Sequence, residues 1–156
     1  MNDNEKLIDA FYSAFQSKDF KTMQECYADA ATFSDPVFRN LDAIQVRAMW
    51  EMFCKNGKEL EISYKNIISE GEIGLAEWTA NYIFSKTGRK VTNHIKAEFV
   101  IRNGKILSHT DSFSLYKWSS QALGLPGMLL GWTPIIRNKV RATAMQSLEM
   151  FMKRKK

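Results

Sequence analysis

Several things are scarce in this 156-residue chain, and each scarcity removes a class of protein. There are two cysteines, Cys26 and Cys54, without CxxC or Cys/His metal spacing, so neither a disulfide framework nor a zinc site is expected. They read as small core residues of a chain kept in a reducing cytoplasm. The two histidines, His94 and His109, fall on opposite strand faces and cannot form a metal cluster together. No GxGxxG, Walker A or GxSxG pattern occurs, which removes nucleotide-binding and acyl-hydrolase readings. The longest apolar-rich stretch, Trp118 to Ile136, is interrupted by Ser, Gln, Gly, Pro and Thr. Its apolar heart, Leu123 to Trp132, is about half of the ~20 residues a membrane span needs. The start, Met-Asn-Asp-Asn-Glu-Lys, has neither the basic beginning nor the apolar middle of a secretory signal.

What is present has the balance of a globular domain: 45% hydrophobic and 25% charged residues. The formal charge of +5 is a property of one end. Residues 137–156 carry seven Lys or Arg against Glu149, a net +6, which leaves −1 for residues 1–136. A nucleic-acid surface, with basic groups interleaved among stacking aromatics, is not expected.

Apolar periodicity predicts a helix over residues 5–16, with Leu7, Ile8, Phe11, Tyr12 and Phe15 at helical spacing. Asp19 is placed to cap a second helix reaching Met23 and Tyr27, and Asp42 a third reaching Lys55, with Val46, Met49, Trp50 and Phe53 on one stripe. Between them, 31–38 reads as an edge strand broken at Pro36. From Leu60 the period becomes two, and strands near 60–69, 74–85, 90–102 and 105–114 are separated by Glu-Gly-Glu, Thr-Gly-Arg and Asn-Gly turns. Tyr116 to Leu123 reads as helix, 124–131 as an apolar connector, and Pro134 to Lys153 as a basic amphipathic helix with Ile136, Val140, Ala144, Leu148 and Met152 at i, i+4. The plan is α+β in one domain: 1–116 forms the body, and 117–156 a helical extension serving as lid or brace.

The run Tyr27-Ala-Asp-Ala-Ala-Thr-Phe-Ser-Asp35-Pro-Val, then a helix, then a meander with Gly88-Arg-Lys and Asn103-Gly-Lys-Ile resembles the nuclear-transport-factor-2-like superfamily. That superfamily includes ketosteroid isomerases, limonene-epoxide hydrolases and SnoaL-like polyketide cyclases; the extension looks like a bacterial group without an assigned activity. The resemblance covers residues 5–116 and implies a cone-shaped fold. N-terminal helices lie in the concavity of a curved, mostly antiparallel sheet, around an apolar pocket for a small hydrophobic ligand. It also implies a homodimer through the outer sheet face. Asp35 matches the general base of ketosteroid isomerases, but the matching oxyanion-hole positions fall on Phe11 and Ala97, neither of which can donate to an enolate. Steroid isomerisation is therefore not expected. Tyr12, about 100° further round the helix, is a poor replacement. Asp111, in Gly104-Lys-Ile-Leu-Ser-His-Thr-Asp-Ser-Phe113, is similar to a catalytic Asp of limonene-epoxide hydrolases, whose partner Arg-x-Asp falls here on Trp78 and Ala80.

Alternation along 105–114 puts Leu107, His109, Asp111 and Phe113 on one face and Ile106, Ser108, Thr110 and Ser112 on the other. Same-face neighbours lie ~6.5–7 Å apart, so His109 and Asp111 can share a proton. Asp35 would bring a second carboxylate from a distant segment. Against this, His109 and Asp111 can simply satisfy each other, and Ser-Asp-Pro is ordinary turn chemistry for Asp35. His94 reads as outward-facing with Lys96 and Glu98, while Asn93, Ile95, Ala97 and Phe99 read as inward. The expected site is thus Asp35, Asp111 and His109 as acid/base groups, walled by Phe11, Phe15, Trp50, Phe53, Trp78, Tyr82, Asn93, Ala97 and Phe113. No metal and no cofactor are called for. A cofactor-independent isomerase, cyclase, dehydratase or epoxide hydrolase is one expectation; a non-catalytic binding module and a dimerising structural protein are the alternatives. Met128, Leu129, Leu130 and Trp132 are expected to close the cone mouth, with peripheral membrane contact as a minor alternative.

Overall fold

The computed structural model describes residues 1–155; Lys156, the last residue of the expected extension, lies outside them. Helix α1 (Asp3–Gln16) opens on a capping box in which the Asn2 side chain and the Glu5 side chain satisfy each other's backbone N–H groups. Asp19 caps α2 (Phe20–Glu25) and Asp42 caps α3 (Ala43–Asn56), the latter again as a box with Gln45. Strand β1 (Tyr27–Ser34) lies between α2 and α3, so Tyr27 begins a strand where the periodicity had placed the end of a helix. The meander is β2 (Lys58–Glu70), β3 (Ile73–Phe84), β4 (Arg89–Arg102) and β5 (Lys105–Ser112). Asn103 and Gly104 both take positive φ, 54° and 73°, as the tight hairpin between β4 and β5 requires.

The sheet order is β1-β5-β4-β3-β2, antiparallel except for the β1–β5 pair. Two register shifts in β2 and one in the β4–β5 pair bend it. The shift beside Leu107 has a local consequence. It inserts one residue between the Ile101–Ile106 and Val100–Ser108 pairs, so Ile106 joins the core at 0% exposure instead of pointing away as strict alternation predicts. The concave face is filled by α1 and α3. Gly74 on β3 permits the closest approach, since a Cβ there would lie 2.6 Å from Ile8 Cδ1. Buried side chains of about a dozen large residues, among them Phe11, Tyr12, Phe15, Trp50, Phe33 and Phe99, make the core. This is the cone-shaped α+β fold anticipated above.

The extension forms three helices: α4 (Leu115–Leu123), α5 (Leu125–Leu130) and α6 (Pro134–Arg154). The connector anticipated at 124–131 is largely the short helix α5. Helix α6 packs along the body. Leu148 is fully buried, Ala144, Met145 and Met152 pack against the main core, and Val140 packs against a second cluster of Val91, Leu115, Trp118 and Ala122. Polar fastenings hold its length: Arg141 Nε donates to the Pro36 carbonyl at 2.9 Å, and Lys155 pairs with buried Glu51 on α3. Burial alone would raise the Glu51 pKa, but bonds from Lys155, Lys55 and Gln24 outweigh it and hold the carboxyl below its usual range. The residues expected over the mouth do something else. Met128, Leu129, Leu130 and Trp132 are 50–67% exposed, because α5 packs mainly on α4 and presents these side chains outward. No helix among the described residues is long and apolar enough to cross a membrane.

Candidate acid/base site

The site is built on β5, whose period-two geometry turns His109 and Asp111 together into the core at 1% and 3% exposure. His109 Nε2 lies 2.8 Å from Asp111 Oδ1. The other ring nitrogen, Nδ1, is 2.8 Å from the Tyr27 hydroxyl, brought there because β1 pairs in parallel with β5 and sets Phe33 beside His109. Trp50 on α3 completes the chain, its indole N–H donating to the Tyr27 oxygen at 2.8 Å.

Counting hydrogens orients the relay. The Tyr27 oxygen accepts from Trp50, so its single hydrogen is free for His109 Nδ1. The imidazole then carries its own hydrogen on Nε2 and donates it to Asp111. Trp78 Nε1 also points at Asp111 Oδ1, at a marginal 3.5 Å. Trp78 thus occupies, with a weak N–H donor, the position at which the resemblance implies an arginine. Around the imidazole stand Phe99, Phe33, Phe11 and Trp50, with ring centroids 4.3, 4.9, 5.8 and 6.2 Å away. The relay is buried and framed by aromatic rings.

Tyr12 enters from α1. Adjacent Phe11 and Tyr12 are both fully buried, because α1 packs on β2 and β3, against α2, and under the Trp50 ring of α3. The 100° between them therefore does not take Tyr12 out of the interior. Its hydroxyl has no hydrogen-bond partner among the described residues. Burial pushes its pKa well above 10.0, with a smaller push from the Asp111 and Tyr27 charges, so it stays a neutral donor. Burial acts the same way on Tyr27, outweighing the bond from Trp50.

Asp35 arrives at the edge of this interior from the turn after β1. Its Oδ1 accepts from the backbone N–H groups of Val37 at 2.7 Å and Phe38 at 2.6 Å, which is the turn chemistry anticipated for Ser-Asp-Pro. Half-buried rather than sealed, the carboxyl is nonetheless pushed up to about 7. Burial is the main cause; the Phe38 N–H pulls the other way, and the negative charge of Asp111 adds to the rise. Asp35 also raises Tyr82, whose pKa is lifted first by burial and lowered by the bond from Trp118 Nε1 at 2.6 Å. Two carboxylates far apart in sequence, and a phenol on the central sheet, thus sit within each other's fields.

The expected wall residues divide into two groups. Phe11, Phe15, Trp50, Trp78 and Ala97 are buried and packed together, with Ala97 directly opposite Asp111 across the β4–β5 ladder. Phe53, Tyr82, Asn93 and Phe113 are half-buried nearer the rim, where Val37, Tyr82 and Phe113 touch both hydrophobic clusters. Where the resemblance implies a hollow, the interior around His109 and Asp111 is packed with side chains. One depression lies at the α1 N-terminus and another, about 360 Å³, on the outer sheet face; neither is lined by His109, Asp35 or Asp111. His94 is exposed on the outer face, bonded to Thr79 Oγ1 at 3.0 Å. Among the described residues no group of three or more His, Cys, Asp and Glu side chains could hold a metal ion.

Tyr27 is the participant that periodicity missed. Reading 27–33 with a strand period would have found it, since Tyr27, Ala31 and Phe33 are the buried positions of β1.

Comparison with known proteins agrees with this architecture. The profile of the SnoaL-like domain matches residues 8–109, more than half of the chain. Among curated proteins no match is found. An LEH-like epoxide hydrolase from M. tuberculosis has 20% identity and a TM-score of 0.65, covering 83% of this chain and 96% of its own. A hypothetical protein from Catenulispora acidiphila, with a ketosteroid isomerase-like fold and in complex with trimethylamine, has 16% identity and a TM-score of 0.67, covering 82% and 97%. An NTF2-like protein of unknown function from Burkholderia pseudomallei has 18% identity and a TM-score of 0.65, covering 73% and 92%. At these identities the structures share the fold.

Proposed function

This chain belongs to the SnoaL-like domain family, and from that premise we propose that it is a small acid/base enzyme acting on a hydrophobic molecule bearing a carbonyl, an epoxide or a leaving hydroxyl. The observation that carries this reading is the buried Trp50–Tyr27–His109–Asp111 relay with Asp35 coupled to its acidic end. Asp35, poised near neutrality, takes up or delivers a proton. Asp111, oriented by His109, is the second carboxylate, and the unpartnered Tyr12 hydroxyl is a donor for a substrate oxygen. Two carboxyls in unlike surroundings are the arrangement an acid and a base need. Access requires movement of the α6 brace or of the rim at Val37, Tyr82 and Phe113. The comparison protein named as an LEH-like epoxide hydrolase supports epoxide opening as one such reaction. A cytoplasmic setting, supported by the unpaired Cys26 and Cys54, and a homodimer through the outer face of β2–β4 belong to the same reading.

A second reading is a non-catalytic binding module. The bonds that hold Asp35 Oδ1 in its turn and the aromatic filling of the interior favour it.

Turnover of an aryl epoxide, a β,γ-unsaturated ketone and a tertiary allylic alcohol, measured for the wild type, Asp35→Asn and Asp111→Asn, separates the two. The enzyme reading expects at least one substrate to be turned over, with each variant slowed about 100-fold or more. Equal turnover in all three proteins, or none with any substrate while an apolar fluorescent probe still binds, gives the binding reading.

A further inference from the structure

Beyond the acid/base site, α5 leaves a feature that packing within the chain does not explain. Leu125, Met128, Leu129, Leu130, Trp132 and Ile135 are 65%, 53%, 62%, 50%, 67% and 79% exposed, six large apolar side chains within eleven residues. Scattered exposed apolar residues are ordinary, but a contiguous ridge of this size marks a contact surface.

The ridge is built to stand out. Gly127 is buried against α4, and any side chain there would run into the Ser119 carbonyl. Tyr116 Oη donates to the Met128 carbonyl at 2.8 Å, and Trp132 Nε1 to the Leu129 carbonyl at 3.1 Å. The Gly127 approach and the Tyr116 bond fix one face of α5 on α4, and the apolar side chains are turned outward.

Charge identifies what the ridge meets. The segments that carry and adjoin the ridge are 78–97, which includes the β3–β4 turn, and 112–148, which includes α4, α5 and most of α6. Neither contains an Asp or a Glu. The acids at this end of the sheet, Glu59 and Glu61, lie at the start of β2, which pairs with the side of β3 away from β4. The turn is tied to α4 by Thr87 Oγ1, which donates to the Ala122 carbonyl at 2.5 Å, and by Arg89 Nε, which donates to the Gln121 carbonyl at 2.7 Å. Exposed Lys86, Arg89, Lys90, Lys117 and Lys139 lie on these segments, with the Arg89 guanidinium against Gly124 at the start of α5, and no acidic residue of the same segments neutralises them.

We propose that the α5 ridge docks this protein onto an anionic lipid bilayer, with Leu129 and Trp132 entering the interface and the flanking Lys and Arg side chains meeting the headgroups. Apolar residues beside basic ones suit such a surface, and Trp favours the headgroup level. Contact is peripheral, since no helix among the described residues can cross. A second copy of the chain fits poorly. Two-fold pairing of this end would set one basic rim against another.

The test is co-sedimentation of the full chain with phosphatidylcholine vesicles and with equal mixtures of phosphatidylcholine and phosphatidylglycerol, at low and high salt. The wild type is expected to pellet with the anionic vesicles at low salt and much less with phosphatidylcholine alone or at high salt. Leu129→Ser/Trp132→Ser, both exposed and so compatible with folding, is expected to bind roughly tenfold more weakly with an unchanged circular dichroism spectrum. Failure of the wild type to pellet with anionic vesicles overturns the proposal, as does equal pelleting of the variant. A dimer in sedimentation equilibrium that the double substitution abolishes assigns the ridge to a second copy and overturns it too.

Discussion

The Tyr27 hydroxyl and His109 Nδ1, 82 residues apart in sequence, are 2.8 Å apart in the core. Tyr27 is the middle of the relay: removing its oxygen strands the Trp50 indole N–H on one side and the imidazole on the other. Tyr27→Phe is expected to cost about 1–3 kcal/mol of stability, the usual penalty for leaving buried polar groups unmade. Urea denaturation measures it. In the enzyme reading the same variant also slows turnover by about tenfold or more, because the histidine tautomer is no longer dictated.

Asp35 gives a pH dependence of unusual sign for a carboxylate. Its folded pKa of about 7 lies above the reference 3.8, so the folded protein keeps this proton where the unfolded chain has lost it. Stability contributed by this group is full below about pH 4, declines as pH rises and levels off above about pH 7. Asp35→Asn keeps an oxygen for the Val37 and Phe38 N–H groups and removes the charge. It is expected to flatten that slope and to raise stability at pH 8 by about 1–2 kcal/mol. Denaturation of both proteins at pH 5 and pH 8 shows whether it does.

These two predictions mark where sequence reasoning reached and where it stopped. The pairing of His109 with Asp111 follows from strand alternation alone, and the bulge at Leu107 leaves it intact because both residues lie beyond it. The same bulge explains why Ile106 could not be placed: an extra residue is invisible to a period-two pattern. Tyr27 was hidden by its position at a helix-to-strand boundary, where an apolar residue fits either period. Periodicity places Tyr12 on the apolar stripe of α1 and sets it aside only as a donor, because it lies about 100° round the helix from the position the resemblance matches. Its buried hydroxyl, without a partner among the described residues, is a tertiary feature that the stripe does not show. The exposure of Leu129 and Trp132 was not legible, since apolar side chains are ordinarily assigned to an interior and only the tertiary arrangement of α4 and α5 turns them out.

The brace is open to a simple comparison of buried and exposed anchors. Leu148→Ala removes a fully buried side chain where α6 meets the core and is expected to cost 2–5 kcal/mol, on the order of other buried truncations. His94→Ala, on the exposed outer face, is expected to stay within about 0.5 kcal/mol of wild type. Thermal melts of the two variants beside wild type check the contrast. A neutral Leu148→Ala would mean that α6 does not hold the body closed.

Carbon-detected NMR titration of the Asp35 carboxyl, in the wild type and in Asp111→Asn, reaches the central claim without knowledge of any substrate. If acids from two distant segments serve one site, Asp35 titrates near pH 7, and its midpoint falls when the Asp111 charge is removed. A midpoint in the ordinary carboxylate range, unmoved by the substitution, would contradict the account.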